Sequence, residues 1–590
     1  MKKFAIVLLL ATVAVLLVGC VLTPPSTNFQ RNVRVVLPQG ENYRASNYVY
    51  TSEYGKDVQL SITLDVGFSI VSCNYHGEYV LQQQGTQAQL TLKNVCFDTR
   101  LALQLSCVSG VICYNLNGGV KQDCNEDYFF QHVDTSVRLR HNTDTALDVS
   151  RQGYTLLGWN TQADGNGQHI GLGSKVTVQK DQFVQLFAQW AKWENAESFQ
   201  YQQNLDTEQP DDIVLTAYVG NDNVDWLVIP EQIDGMQVTA IAGTFSSQLC
   251  IGKLVFPRTL QMVEKRAFHK SQIGEIFFFD NISQVGDSCF GNNIATLHIN
   301  AVLPPRYRSN DLSYFVESMD WLILNKSNPK MVFFGGCSMS YGLNSKMVEQ
   351  HFNNQYVVCN VGIIGGTTAT FQMDCISAYL QQGDVFVHAP EQMSTYQLMV
   401  NTDAELRMFV CVEANYDLLA LADLSQCNYV FDCFNGFNHA RQELPEENYD
   451  VVNNNYNKNG DYVVYRQDSA QNAQFDIQCC FVDDYMSQQS FANLNKYYAK
   501  MQGRGAKVFV SFAPLNKNAL TDDEWQNSVV RYVAMFNTYL DKDYKVISTL
   551  GNYIMDGRYF YDTDYHLTTN GANLRTQQLI ADLQIALQLQ

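Results

Sequence analysis

Two short stretches hold residue types that can do chemistry together. Gly335-Gly336-Cys337-Ser338-Met339-Ser340-Tyr341-Gly342 follows the apolar run Met331-Val332-Phe333-Phe334. Far downstream comes Asp562-Thr563-Asp564-Tyr565-His566-Leu567. The first reads as a strand ending in a glycine turn that presents a small nucleophile. The second places carboxylates two and four residues ahead of a histidine. Nucleophile, base and base-orienting acid are the three roles of acyl-transfer catalysis.

The elements that must position these residues follow from the hydrophobic pattern. From about residue 330 to the end, apolar strand-like runs alternate with amphipathic helical stretches. Strands are expected at Lys330–Phe334, Tyr356–Cys359, Val385–His388 and Lys507–Phe512. Helices are expected at Ala369–Gln382, Gln488–Met501, Thr521–Leu540 and Asn570–Gln588. Such alternation predicts a parallel sheet with helices on both faces. Ligands bind such sheets at the carboxyl ends of the strands, where the Gly335–Ser338 turn lies. His388 and Glu391 close the third strand and are expected on the same rim, with Glu391 a candidate contact for substrate hydroxyls. Gly365-Gly366-Thr367-Thr368 reads as a helix entry, and with no lysine after it a phosphate loop is not expected.

The region 325–590 resembles the SGNH hydrolases, in their cell-surface and O-acyltransferase-like branch. The resemblance rests on the Gly335–Gly342 block, on Asn360-Val361-Gly362 after the second strand, and on Tyr561–Leu567 with Gly571 following. It implies a three-layer α/β, flavodoxin-like domain. It also implies that the Gly362 amide stabilises an oxyanion and that His566 acts as general base. The sequence departs from the family twice. Cys337 stands where the family has its serine, with Ser338 one place later, and His388-Ala389-Pro390-Glu391 stands where a Gly-x-Asn-Asp block would be. Three readings of the first block remain open: a Cys337 thiol nucleophile, a Ser338 nucleophile one residue out of register, or an inactive site with Cys337 in the core. A cysteine thiol is already a few per cent thiolate at neutral pH. Asp564, at i−2, and Asp562, at i−4, compete as the group that orients His566. A second oxyanion donor is expected from the backbone at the nucleophile, with Asn360 orienting the Gly362 loop.

The rest of the chain reads as a way to hold that site at a surface. Lys2 and Lys3 precede the apolar stretch Phe4–Val18, which ends in Leu17-Val18-Gly19-Cys20. This is a secretory signal whose end is similar to a bacterial lipobox. Residues 1–20 would be the signal peptide, Cys20 the lipidated residue and 21–32 a tether; a plain membrane-anchor helix is the alternative. Residues 33–110 alternate apolar and polar (Val33, Val35, Leu37; Val58, Leu60, Ile62, Leu64) and predict a β-sandwich-like domain. Tyr114–Gly119, Gly153–Trp159, Asp164–Gly167 and Leu186–Trp190 resemble a Listeria–Bacteroides repeat, a β-grasp-like surface module, over 111–195, with Trp159 and Trp190 in its core. Phe245, Phe268 and Phe290 recur at a period in the low twenties. That spacing predicts a short solenoid, similar to BspA-type leucine-rich repeats, over 196–305.

Composition bounds the function further. The 590 residues are too many for one core, and roughly three to five domains are expected. The net charge of −20 argues against nucleic acid. One of sixteen cysteines is the lipid site. The others are expected to be mostly reduced, with Cys107, Cys113, Cys124, Cys479 and Cys480 the places where a disulfide could form. No spacing suggests a zinc site, and no cofactor or metal is expected. The expectation is therefore a multidomain, lipid-anchored protein on the outer face of a Gram-positive membrane. All-β modules and a leucine-rich-repeat solenoid would carry an SGNH-like α/β domain that moves acyl groups, acetyl foremost, on cell-wall or extracellular polysaccharide. The alternative is a non-catalytic adhesin whose repeats bind a protein or glycan ligand.

Overall fold

The computed structural model describes residues 32–588 apart from 41, 66, 108–109, 123, 125, 134–136, 139–147, 177, 179–181, 246–247, 287, 291–295, 308–311, 313, 363–368, 392–405, 414, 423, 425–429, 445–454, 468–487 and 521–524. Cys20, the Gly365–Thr368 segment, Cys479 and Cys480 lie outside the described residues. The protein is multidomain, with β-sheets through its N-terminal part and an α/β region after them. The chain divides into two compact units, 1–111 with 179–183 and 112–178 with 184–590.

In the first unit the period-two pattern becomes antiparallel sheets. Lys56–Leu64 pairs with Gln87–Val95 in the register Val58↔Leu92 and Leu60↔Leu90. Alternate side chains of a strand face opposite sides, so Val33, Val35, Val58, Leu60, Ile62, Leu90 and Leu92 share one buried core.

In the second unit, Tyr154–Asn160 runs antiparallel to Phe183–Lys192. Trp159 is buried, and the Trp190 indole N–H donates to the Leu116 carbonyl at 2.9 Å. The chain next contributes strands alternately to two parallel ladders. One holds Asn223–Val228, Cys250–Val255, Gln272–Phe279 and Thr296–Asn300. At the corners Phe245, Phe268 and Phe290 pack in a row, with ring centroids 5.2 and 5.6 Å apart. The sequence period thus corresponds to one turn of chain, and each turn packs its phenylalanine against those of its neighbours.

Trp226, Lys253 and Glu275 lie side by side across the first ladder. Glu275 meets the Lys253 ammonium at 3.1 Å and His298 Nε2 at 3.1 Å. The hydrogen bond from His298 dominates; burial opposes it and Lys253 reinforces it, and together they hold the Glu275 pKa at about 2. The unfolded chain, with ordinary glutamates, therefore takes up protons first as pH falls. The stability this group contributes is present above the ordinary glutamate pKa and is lost between about 4.5 and 2. Melting temperatures measured across that range are expected to fall less steeply in Glu275→Gln than in the unaltered protein. Parallel slopes would show that the pair adds nothing.

The α/β region carries five parallel strands: β1 (Lys330–Gly335), β2 (Val357–Gly362), β3 (Val385–Ala389), β4 (Lys507–Val510) and β5 (Lys545–Val546). Their order is 2-1-3-4-5. The helices are α1 (Tyr314–Leu324), α2 (Cys337–Gly342), α3 (Ser345–His351), α4 (Ala369–Ser377), α5 (Leu406–Val412), α6 (Val430–Gln442), α7 (Gln488–Gly503), α8 (Trp525–Tyr539) and α9 (Thr569–Gln588). Alternation along β1 sorts the two faces. Met331 and Phe333 join Met339 of α2, Val348 of α3 and Leu579 and Leu583 of α9. Val332 and Phe334 join Phe315 of α1, Phe371 of α4 and Phe491 of α7. Helix α1 precedes residue 325, where the sequence pattern begins this region, yet its Trp321 indole donates to the Val358 carbonyl of β2. Helix α4 stops at Ser377, short of the expected Gln382, where the next N–H groups turn to i−3 carbonyls (Tyr379 to Ile376, Leu380 to Ser377) and Asp384 accepts the Gln381 N–H.

The ladders and the α/β region share a core. Phe278 and Phe290 touch Phe431 of α6, and Phe278 also meets Phe434. Asn435 exchanges two hydrogen bonds with the backbone of Val285. Buried Arg441 bonds the Asp280 carboxylate and carbonyl, each at 2.9 Å. Among the described residues no helix is long and apolar enough to cross a membrane.

Candidate functional site

With the strand order 2-1-3-4-5, the chain leaves β1 toward β2 on one side and reaches β3 on the other. The crevice outside the carboxyl ends of β1 and β3 is therefore the topological switch point, where ligands of such sheets bind. Cys337 follows β1 and Glu391 follows β3, so both stand at this crevice. Glu391 is 3% exposed, and one of its carboxylate oxygens, Oε1, accepts the Ser338 N–H at 2.8 Å and lies 3.6 Å from Cys337 Sγ. Gly336 makes room for this: a Cβ there would sit 2.3 Å from the Glu391 carboxyl carbon. Cys337 is half-buried, and Ser338 is fully buried with no hydrogen-bond partner for its hydroxyl among the described residues. Cys337 is thus the more accessible of the two candidate nucleophiles.

Asn360 and Gly362 end β2 beside α2. The Asn360 side chain donates to the Met339 carbonyl and to Asp461, and accepts the Gly362 N–H at 3.1 Å. The Ser340 hydroxyl donates to the Gly362 carbonyl. Burial raises the pKa of Asp461, while its bonds to Asn360 and Ser345 work the other way. Gly362 is required for close approach: a Cβ would fall 2.6 Å from Met339 Cβ and 2.8 Å from the Ser340 backbone nitrogen. Gly362→Ala is therefore expected to destabilise the protein by about 1–3 kcal/mol, read as a lowered urea midpoint. An unchanged midpoint would mean that α2 shifts freely.

His566 sits in a tight loop closed by the bridge Phe560↔Leu567. The Thr563 hydroxyl accepts the Tyr565 and His566 N–H groups, and the His566 carbonyl accepts the Tyr561 N–H. The loop brings the Asp562 carboxylate to 2.8 Å from His566 Nδ1. A carboxylate accepts, so Nδ1 carries a proton, and in the neutral tautomer this assigns, Nε2 presents its lone pair. The carboxylate on the imidazole is thus that of Asp562. Asp564 is buried, and its carbonyl accepts the Asn516 N–H. Among the described residues Asp562 is the sole hydrogen-bond partner of the His566 ring. The ring lies flat on Tyr341, 3.9 Å between centroids and 9° between planes. Tyr341 and Cys337 are four apart on α2, hence on one face one turn apart.

The stack continues beyond the residues the sequence motifs singled out. Tyr462 covers the other side of Tyr341 at 4.2 Å. The Arg466 guanidinium lies over both tyrosines and donates to their carbonyls. Tyr462, Arg466 and Asp461 carry no motif or periodicity that marks them. Only Tyr341 was within a recognisable block.

His388 does not share the rim with Glu391, as its place at the strand end had suggested. It is buried beside Phe334 and bonds the Tyr498 hydroxyl through Nδ1 at 2.7 Å, and burial holds its pKa at about 3. Its position in the pleat turns it into the apolar face under α7. Cys113 is buried; Cys124 is half-buried and a free thiol. Among the described residues no group of three His, Cys, Asp or Glu side chains could hold a metal ion. No family model matches the chain, and no curated protein matches it.

Proposed function

We propose that the α/β region is an SGNH-like acyl-transfer site that moves O-acyl groups, acetyl foremost, on a surface polysaccharide. In this reading the protein is held at the outer membrane face through a lipid on Cys20, and the ladders at 196–305 are leucine-rich repeats of the BspA type. One observation carries the catalytic part: the Asp562–His566 pair, far away in sequence, stacks on Tyr341, one turn of α2 from Cys337 at the switch-point rim. The strand order 2-1-3-4-5 suits such a domain. The Cys337 thiol leaves Glu391 and gives its proton to His566 Nε2 as sulfur attacks the ester carbonyl. The C–O bond then breaks, His566 returns the proton to the departing alcohol, and a thioester remains. Water or a sugar hydroxyl attacks the thioester with His566 again as base, which releases the thiol. An oxyanion there competes with Glu391 for the Ser338 N–H, and the Gly362 N–H is engaged by Asn360.

Those two engaged amides favour a second reading, an adhesin with a degenerate domain. Hydrolysis of p-nitrophenyl acetate by the full chain separates them. Cys337→Ala is expected to fall to the uncatalysed rate, and Ser338→Ala to stay within several-fold of the unaltered protein. Equal rates in all three proteins would leave the adhesin reading.

A further inference from the structure

We propose that Tyr465 and Tyr561, with the Val463–Val464 strip between the elements of the site, form a platform for the sugar rings of an uncharged or amine-bearing glycan. Tyr465 is 74% exposed, Val463 51%, Val464 41% and Tyr561 38%. This exposure is held in place rather than frayed. The Tyr462 N–H donates to the Ser340 carbonyl of α2 at 3.0 Å, and the Val463 N–H to the Asn455 carbonyl at 2.7 Å. At the other end Arg466 and Thr569 exchange two hydrogen bonds, which pins the strip to the start of α9, three residues past His566. Tyr561 adjoins Asp562 and donates its N–H to the His566 carbonyl. The strip and Tyr561 are thus both anchored to the elements that carry the site, the strip to α2 and the start of α9 and Tyr561 to the His566 loop.

Inside the site every tyrosine is engaged: Tyr341 and Tyr462 stack on each other and under Arg466. The rings and hydroxyls of Tyr465 and Tyr561 have no stacking or hydrogen-bonding partner among the described residues. Two rigid aromatic faces held in water beside a reactive rim are a ligand surface. Their hydroxyls and the small valine area suit the C–H faces of pyranose rings, which carry polar groups at their edges, better than an acyl chain. Charge narrows the class. Net charge is −20, and the Asp562 side chain beside the platform is half exposed. Of the cations nearby, Arg466 is committed to the tyrosine faces and carbonyls, and Arg558 pairs with Asp556 and lies over Tyr559. The field therefore disfavours phosphate- or uronate-bearing polymers and admits neutral or amine-bearing ones.

This deepens the acyl-transfer reading by naming the acceptor side of the site, but its test does not depend on turnover. Calorimetric binding of chitopentaose, cellopentaose and the fully deacetylated glucosamine pentamer by the full chain is the measurement. Binding of at least one is expected, with little loss for the neutral sugars in 0.5 M salt. Tyr465→Ala/Tyr561→Ala should weaken it at least tenfold at an unchanged melting temperature, and Tyr465→Trp/Tyr561→Trp should restore it. No binding of any of the three, or equal binding by the alanine pair, overturns the proposal. So does tyrosine-dependent retention on phosphatidylcholine vesicles in place of the sugars. Sugar binding without p-nitrophenyl acetate hydrolysis would overturn the enzyme and keep the platform.

Discussion

Arg441→Ala is expected to cost about 3–5 kcal/mol of folding stability, because removing one partner of a buried pair strands the other. Arg441 is 1% exposed, and four groups converge on it: the Asp280 carboxylate and carbonyl, the Asn438 side chain at 2.6 Å and the Tyr416 hydroxyl at 3.2 Å. Glu413 lies 3.6 Å away and is buried enough that desolvation raises its pKa, although the Tyr307 and Arg306 N–H groups and Arg441 itself oppose this. Without the guanidinium two buried carboxylates face each other with no cation between them. A domain's whole stability is about 5–15 kcal/mol, so this single change can take the protein near its threshold. Urea unfolding followed by circular dichroism measures it. The ladders and the α/β region are expected to unfold together and at a much lower midpoint than in the unaltered protein. Adding Asp280→Asn should recover part of the loss by removing one stranded charge. A midpoint shift worth under about 1 kcal/mol, the scale of an exposed pair, would show that water reaches the cluster. The same interlock is why the full chain, and not residues 325–590 alone, is the material for every experiment above.

Asp562→Asn is expected to slow p-nitrophenyl acetate turnover by about 10²–10³-fold at neutral pH. In the proposed reaction the carboxylate, 2.8 Å from Nδ1, holds that proton, keeps the Nε2 lone pair available and stabilises the imidazolium that forms when the thiol is deprotonated. An asparagine has no charge to offer, and its amide can donate to Nδ1 and place the proton on Nε2, the wrong nitrogen for a base. The effect is set below the largest known for such a change because the Asp562 side chain is 50% exposed, and solvent screens it. Asp564→Asn is the internal comparison, expected within several-fold because the ring donates its hydrogen bond to Asp562. The opposite ranking would mean that the loop rearranges when substrate binds. Equal rates for Asp562→Asn and the unaltered protein would remove His566 from the chemistry.

How much was legible beforehand depended on whether the information was local. The strands Lys330–Gly335 and Val385–Ala389 stand out because strands buried on both faces are continuous apolar runs. The alternation in 33–110 and the recurring Phe245, Phe268 and Phe290 stand out because a pleat has a fixed period and each turn of the ladders repeats one apolar need. The segment carrying Asp461, Tyr462 and Arg466 has no such period. Its residues matter only because Ser345, Tyr341 and Thr569 come to meet them. Helix α2 is six residues long, too short for an amphipathic pattern to show.

The sequence alone determined which residues could do chemistry, the strands that carry them and the surplus of acid, since residue type, burial pattern and charge are properties of short stretches. Only the tertiary structure decided that Asp562 meets the His566 ring, that Glu391 holds the Cys337 thiol and the Ser338 amide, that His388 turns into the core and that Tyr341 stacks on His566. A hydrogen bond is made or lost within an ångström. Such distances are set by loops whose closure depends on packing against residues far away in the chain.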